Sequence, residues 1–282
     1  MSEWKRVNRR MKCPVCRRDH WCGVSADGTA AICMRVASPK PTAQGGWLHR
    51  LGEDAIPAAV IRSLPKEPRP PDRDWEEFHT RLLDGPRRRL PQLAKLLGVP
   101  EGTLAAMSVV HIDAIDAWAF PMRAPDGAII GEHLRFLNGA KKCIRGSKLG
   151  LFMTHVAAAS GPMGAGPIMC PEGASDTAYL ESRGFDAIGR PSNISDPRPV
   201  RDWIERQDRA LDVYIIADRD APASSAERNT AQGCTKLVQC LRGSPAVRRV
   251  YVIRPPGRKD VRQWHPTAST LRGVLRSAIP VE

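Results

Sequence analysis

From residue 168 onward the chain alternates short strand-like runs with helical stretches: IMC then DTAYLESRG, DAIG then PVRDWIERQ, DVYIIA then SSAERNTAQGCTKLVQCLRG, RVYVIR then TASTLRGVLRSA. This alternation restricts the fold more than any other feature, because strands separated by helices of such length predict an α/β unit with a mainly parallel sheet. In open sheets of that kind, ligands gather at the carboxyl ends of the strands. Two of the runs end on acids, Cys170-Pro171-Glu172-Gly173 and Ala217-Asp218-Arg219-Asp220. Glu172, Asp218 and Asp220 are therefore expected to converge, and carboxylates brought together need a cation. An all-oxygen set with two aspartates at i and i+2 suits magnesium or manganese when phosphates complete the coordination. Asp176, four residues after Glu172, is either a further ligand or a charge favoured by the helix N-terminus.

The other end of the chain is dominated by cysteine. Cys13-Pro-Val-Cys16, Cys22 and Cys33 crowd four of the eight cysteines into one short stretch with little apolar bulk. Four thiolates satisfy tetrahedral zinc, and closure around the metal replaces a core that residues 1–51 can hardly build. A zinc ribbon-like module is expected, with Asp27-Gly28 turning a hairpin. His20 is the alternative to Cys22 as fourth ligand; otherwise it joins Arg17 and Arg18 at the surface. Trp21 either offers a stacking face or caps the metal. Cys143, Cys170, Cys234 and Cys240 lie in strand or helix patterns and are expected in the core.

Charge helps to divide what lies between. The chain of 282 residues carries a net +13. Residues 1–51 hold ten Lys or Arg against three acids, whereas 52–90 hold eight of each. The neutral segment contains SLPKEPRPPDRD, which cannot build a core and reads as an extended linker, so that residues 52–74 separate the first module from the rest. Helical periodicity follows in WEEFHTRLL and in LPQLAKLLG, where Leu90, Leu93, Leu96 and Leu97 share a face and Gly98 stops the helix. A short helix after Pro100 makes the pair either helix-turn-helix-like or a simple packed hairpin. AWAFPM, AIIGEHLRF and KKCIRG, separated by Pro125-Asp126-Gly127 and Asn138-Gly139, predict a small antiparallel sheet. Residues 75–165 thus form a helical and mixed-β subdomain, ending in the flexible-looking ASGPMGAGP. No GxxxxGK[ST] is present, which excludes a P-loop motor.

At this point the residues resemble a known family. PEGASDTAYL with IIADRDA is similar to the TOPRIM signature of primases, topoisomerases and some nucleases, and CPVC with two later cysteines narrows the resemblance to bacterial and phage-type DNA primases. It extends over nearly the whole chain outside the linker. AFPMRAPDGAIIGEHLRFLNGAKKCIRGSKLGLF resembles the basic subdomain ahead of their TOPRIM fold, and GRKDVRQWH their late KD motif. The resemblance implies that Glu172, Asp176, Asp218 and Asp220 bind catalytic metal, with Asp260 as an accessory acid. It implies further that Arg135, Lys141, Lys142, Arg145 and Lys148 face template or nucleotide phosphates; Lys259 and the zinc-module cations Arg17 and Arg18 are expected to bind nucleotide or single-stranded template as well. Two departures stand out: two single cysteines follow the CxxC, and Ala221-Pro222-Ala223 stands where the family often has glycine.

The chemistry follows without the family name. Joining nucleotides requires a 3′-hydroxyl to attack an α-phosphate while pyrophosphate leaves, and divalent cations neutralise the charge that develops. Asp218 and Asp220 would hold the cation; Glu172 either binds a second ion or deprotonates the hydroxyl. The basic cluster is either a triphosphate cradle or an ordinary solvated strand face. The expected function is metal-dependent synthesis of primers from NTPs on single-stranded DNA, with a metal-dependent TOPRIM nuclease or a non-catalytic DNA-binding mediator as alternatives. The chain stops shortly after the TOPRIM unit, so any helicase partner is expected to be separately encoded, which suits a plasmid, phage or integrated element. No apolar run reaches the roughly 20 residues needed to span a membrane and no secretory signal is present, so the protein is expected in the cytoplasm.

Overall fold

The computed structural model of the chain describes residues 4–42, 46–57, 73–84 and 89–281. Two compact units separate, Met1–Arg69 and Pro70–Glu282. In the first, β1 (Trp4–Arg6), β2 (Gly23–Ser25), β3 (Ala30–Cys33) and β4 (Trp47–Arg50) form one antiparallel sheet in chain order. The Asp27-Gly28 turn closes with Gly28 N–H donating to the Ser25 carbonyl at 2.9 Å. Among the described residues, Val7, Met11, Val24, Ala31 and Leu51 are buried around Cys13, Cys22 and Cys33, with Val15 and Ile56 packed against them, so the thiols lie within this small core. The linker expectation changes at its start: Gly52–Asp54 is a 3-10 turn, and Ile56 N–H donates to the Gly28 carbonyl at 3.0 Å while its side chain packs on the cysteine core. The proline-rich part of that segment, through residue 72, lies outside the described residues.

The second unit begins with α1 (Trp75–Leu83), α2 (Leu90–Leu97) and α3 (Glu101–Ala106). Asp74 caps α1 by accepting the Glu77 N–H at 2.9 Å, which satisfies a backbone donor that the first turn leaves open. Leu90, Leu93, Ala94 and Leu97 are buried at helical spacing. Leu96, expected on the same face, is 42% exposed, because it falls off the i, i+3, i+4, i+7 stripe. Since α2 and α3 bury their leucines in the main core, they are a packed hairpin.

An antiparallel sheet follows in the order β5 (Val110–Ile112), β6 (Ala117–Arg123), β7 (Ile129–Phe136), β8 (Lys141–Cys143). Its two faces differ: Trp118, Phe120 and Met122 enter the main core, while Ala117, Ala119 and Leu134 form a smaller cluster with Leu82 and Leu83 of α1. Residues His155–Ser160 then form α4, so the segment 159–167, expected to be flexible throughout, begins as helix.

The remainder is the α/β unit: β9 (Ile168–Cys170), α5 (Gly173–Ser182), α6 (Arg198–Glu205), β10 (Leu211–Ile216), α7 (Ser225–Arg242), β11 (Val247–Ile253), α8 (Val261–Trp264) and α9 (Ala268–Ser277). The strands are parallel in the order β11-β10-β9. DAIG, expected as a full strand, instead makes isolated bridges, Ala187 parallel with Met169 of β9 and Gly189 antiparallel with Phe152, and the next residue, Arg190, bridges in parallel with Glu172. Period-2 alternation sends Val213, Ile215 and Ala217 against α6 and α7, and Tyr214 and Ile216 toward α5 and α9. Both faces of the sheet are thereby covered, as parallel strands require. Cys170 and Cys234 are buried and Cys240 is half-buried, but Cys143, expected in the core, is exposed on the edge strand β8.

Candidate active site and metal centre

The Cys13, Cys16, Cys22 and Cys33 sulfurs all lie within 4.8 Å of one another. The Cys16 and Cys22 sulfurs are 3.6 Å apart, close to the ~3.8 Å spacing of thiolates on a tetrahedral zinc. Backbone N–H groups of Met34 and Val36 donate to the Cys22 and Cys33 sulfurs at 3.4 and 3.3 Å. Arg35 brings its guanidinium to 3.9 Å from Cys16 Sγ and 3.8 Å from Cys22 Sγ, offsetting negative charge on the sulfurs. Cys22 thus completes the set. His20 turns to Asp19, 2.7 Å away. Against its burial, the Arg18 N–H and neighbouring thiols bring Cys16 down to about 7, whereas burial pushes Cys22 up to about 12. Four sulfurs gathered at this spacing fit a tetrahedral zinc ion, which binds cysteines as thiolates. Arg17 and Arg18 are exposed, and so is Trp21, at 64%.

In the second unit, Glu172, Asp218 and Asp220 line one cleft of about 310 Å³ with Ser192, Asn193, Ile194, Asn229 and Lys259. Each acid stands where its strand ends. Glu172 follows β9 and occupies the N-cap position of α5, and Gly173 takes φ +78° to make the turn between them, a conformation that a residue with Cβ resists. Asp218 and Asp220 follow β10. Burial first, then Glu172 and Asp260, push the Asp218 carboxyl up to about 7, with Lys259 opposing. Burial raises Glu172 as well, partly offset by Arg190. Asp176, buried in the first turn of α5, is held well above the ordinary range by burial and by Asp260 and Asp218. A divalent cation fits this donor set: carboxylate oxygens share one cleft, and their own repulsion favours protons when no metal takes their place. Asp260 caps α8, accepting the Gln263 N–H at 2.7 Å, while remaining close enough to repel both Asp218 and Asp176.

The expected basic cluster divides by strand alternation. Arg135 and Lys141 are direct cross-strand partners. Arg135 donates to Ser175 Oγ at 3.2 Å and feels Asp176; Lys141 lowers the proton affinity of both Glu172 and Asp176. These two cations reach the acids. Lys142 pairs with Leu134 on the other face and lies 5.8 Å from the Phe136 ring centroid. Arg145 and Lys148 are exposed in the stretch after β8 and do not line the cleft. Lys259 does, with its Nζ 3.7 Å from Asp220.

Several residues at the site escaped sequence reasoning. Arg190, Asn193 and Thr230 are buried behind Asp220, Arg262 lies 3.8 Å from Asp176, and Arg35 attends the thiols. Polar side chains scattered over loops and helices form no motif; the one available clue was that Arg190 closes a strand-like run at the same sheet end as Glu172.

No family model matches the chain, and no curated protein matches its sequence. Solved structures do match. The catalytic core of Escherichia coli primase aligns with 73% of this chain and 79% of its own, at 12% identity and a TM-score of 0.55. A DnaG primase catalytic domain bound to single-stranded DNA gives 73%, 78%, 13% and 0.55. The zinc-binding and RNA polymerase domains of Aquifex aeolicus primase align with 96% of this chain and 78% of theirs, at 15% identity and 0.54. The chain therefore has the fold of bacterial DNA primases.

Proposed function

We propose that this protein is a DNA primase: a nucleotidyltransferase that builds short oligonucleotides from NTPs on single-stranded DNA. The observation that carries the reading is the meeting of Arg135 and Lys141, from the antiparallel sheet, with the carboxylates Asp176 and Glu172, from the parallel unit: Arg135 donates to Ser175 Oγ beside Asp176, and Lys141 favours the charged forms of both acids. Hydrolysis needs only the acids and their metal, whereas polymerisation also needs a fixed place for a triphosphate beside them. Two cations adjoining an acidic cleft within a primase fold support that second requirement. The DnaG domain captured with single-stranded DNA and the RNA polymerase domain of the Aquifex protein support template and product of this kind.

In this reading Asp218 and Asp220 hold magnesium or manganese, with Glu172, Asp176 and Asp260 adjoining. The bound ion neutralises charge developing on the attacked α-phosphate and on departing pyrophosphate. Arg135, Lys141 and Lys259 bind and orient the triphosphate. Glu172, whose proton affinity burial raises, either accepts the 3′-hydroxyl proton or joins the metal shell. Zinc held by the four cysteines keeps Arg17, Arg18 and Trp21 on one small rigid module, where cations and an exposed aromatic face suit single-stranded template.

The test is incubation of the protein with single-stranded DNA, labelled NTPs and manganese or magnesium, beside Glu172→Gln and Asp218→Asn. Wild type yields labelled oligomers, and either substitution lowers the yield at least about 100-fold. Shortened DNA without labelled oligomers overturns the reading in favour of a nuclease; DNA binding without either product favours a mediator.

A further inference from the structure

Behind Asp220 lies a chain of hydrogen bonds with a single consistent direction. Arg190 donates to Asn193 Oδ1 at 3.3 Å, Asn193 Nδ2 donates to Thr230 Oγ1 at 2.7 Å, and Thr230 Oγ1 donates to Asp220 Oδ2 at 2.8 Å. Arg190, Asn193 and Thr230 are 3%, 9% and 0% exposed, so water cannot readily substitute for these partners. The direction is forced by chemistry. A guanidinium only donates, which turns the Asn193 amide oxygen toward Arg190 and its NH2 toward Thr230. Thr230 has one proton, and with its oxygen accepting from Asn193 that proton goes to the carboxylate.

The arrangement has two further consequences. Asp220 is fixed through Oδ2, while its other oxygen is the one nearer Lys259, 3.7 Å from Nζ. Asn193 also meets the second acid, since its backbone N–H stabilises ionised Glu172, and Arg190 bridges to Glu172 along the sheet edge. One short segment, 190–193, thus braces the two acid-bearing strand ends. The brace requires close approach to α7: a Cβ on Gly233 would stand 2.0 Å from the Asn193 carbonyl oxygen.

We infer that Thr230, Asn193 and Arg190 are positioning residues that set the orientation of Asp220 and so the affinity of the cleft for a divalent cation. The inference rests on the proposed role of Asp220 as a metal ligand. None of the three residues need touch the ion; they act through the carboxylate that does.

The experiment measures Mn²⁺ binding to the zinc-loaded full chain, by the electron paramagnetic resonance signal of free Mn²⁺, for wild type, Asp220→Asn, Thr230→Val and Thr230→Ser. Valine keeps the volume but leaves Asp220 and the Asn193 amide without their shared partner; serine restores the hydroxyl. The expected result is affinity about 10-fold or more weaker for valine, recovery with serine, and a loss for Asp220→Asn at least as large as for valine. Melting temperatures separate positioning from general damage, because serine removes a packed methyl and yet should bind Mn²⁺ like wild type. Wild-type affinity in Thr230→Val, with Asp220→Asn impaired, overturns the inference and leaves the metal site standing. Equal Mn²⁺ binding by wild type and Asp220→Asn overturns the metal-site reading and the inference with it. If the valine chain does not fold, Asn193→Ala decides: weaker Mn²⁺ binding supports the relay, and unchanged binding contradicts it.

Discussion

At Asp218, burial and the neighbouring carboxylates Glu172, Asp260 and Asp220 outweigh Lys259 and carry the pKa to about 7 from 3.8. A carboxyl raised in the folded state contributes its stability at low pH and loses it as pH climbs from about 4 through 7, because the folded protein then holds a proton that the unfolded chain has released. The metal-free acid cleft should therefore destabilise the protein more at pH 8 than at pH 5.5. Magnesium or manganese, which replaces the proton, should raise the melting temperature more at pH 8, and Asp218→Asn should remove most of that difference. Thermal denaturation of the zinc-loaded chain at the two pH values checks this; equal increments in wild type contradict it. That Glu172, Asp218 and Asp220 meet in one cleft was legible from sequence, because the carboxyl ends of parallel strands collect such side chains. Their supports were not, since Arg190, Asn193, Thr230 and Asp220 are joined over separations of 3, 37 and 10 residues and share no periodicity.

Between elements, period-2 alternation decides which cations matter. Sequence reasoning grouped five basic residues by proximity along the chain, but neighbouring strand positions face opposite ways, so Lys141 joins Arg135 near the acids while Lys142 goes with Leu134. Cys143, expected in the core, lies on the edge strand β8, all three of whose residues are exposed. The attachment of α1 to β7 was also hidden. His79 Nδ1 and Glu132 Oε1 lie 2.6 Å apart, with side chains 2% and 0% exposed, and burial raises the Glu132 carboxyl against the pull of His79. Removing one partner of such a pair strands the other in the core, so His79→Ala should cost about 3–5 kcal/mol. The double replacement His79→Leu with Glu132→Leu, which removes both polar groups, should cost less than the single change. Urea unfolding of wild type and variants measures both, and a negligible loss in His79→Ala would show that the pair does not hold the helix.

At the scale of the whole molecule, the sequence patterns predict a cysteine module, a linker, a mixed subdomain and an α/β domain, whereas the structure separates into two compact units with different means of stabilisation. One is built around four thiols with a small apolar remainder; the other covers both faces of a parallel sheet. Bacterial primase structures share the fold at 12–15% identity, as expected where the pattern of burial specifies a fold more than particular side chains do. Where the first unit stops was less legible, since residues 52–57 look like linker in composition but fold onto the cysteine core. Net charge was a coarse guide for a similar reason: the +13 total conceals a cleft lined by three acids, Glu172, Asp218 and Asp220. The central claim is templated synthesis at that cleft. It is tested most directly with circular single-stranded DNA, which offers no ends to extend, incubated with the protein, manganese and α-labelled NTPs. The predicted result is short labelled RNA that hybridises to that circle and not to an unrelated one; intact or linearised circles without complementary labelled RNA would contradict the account.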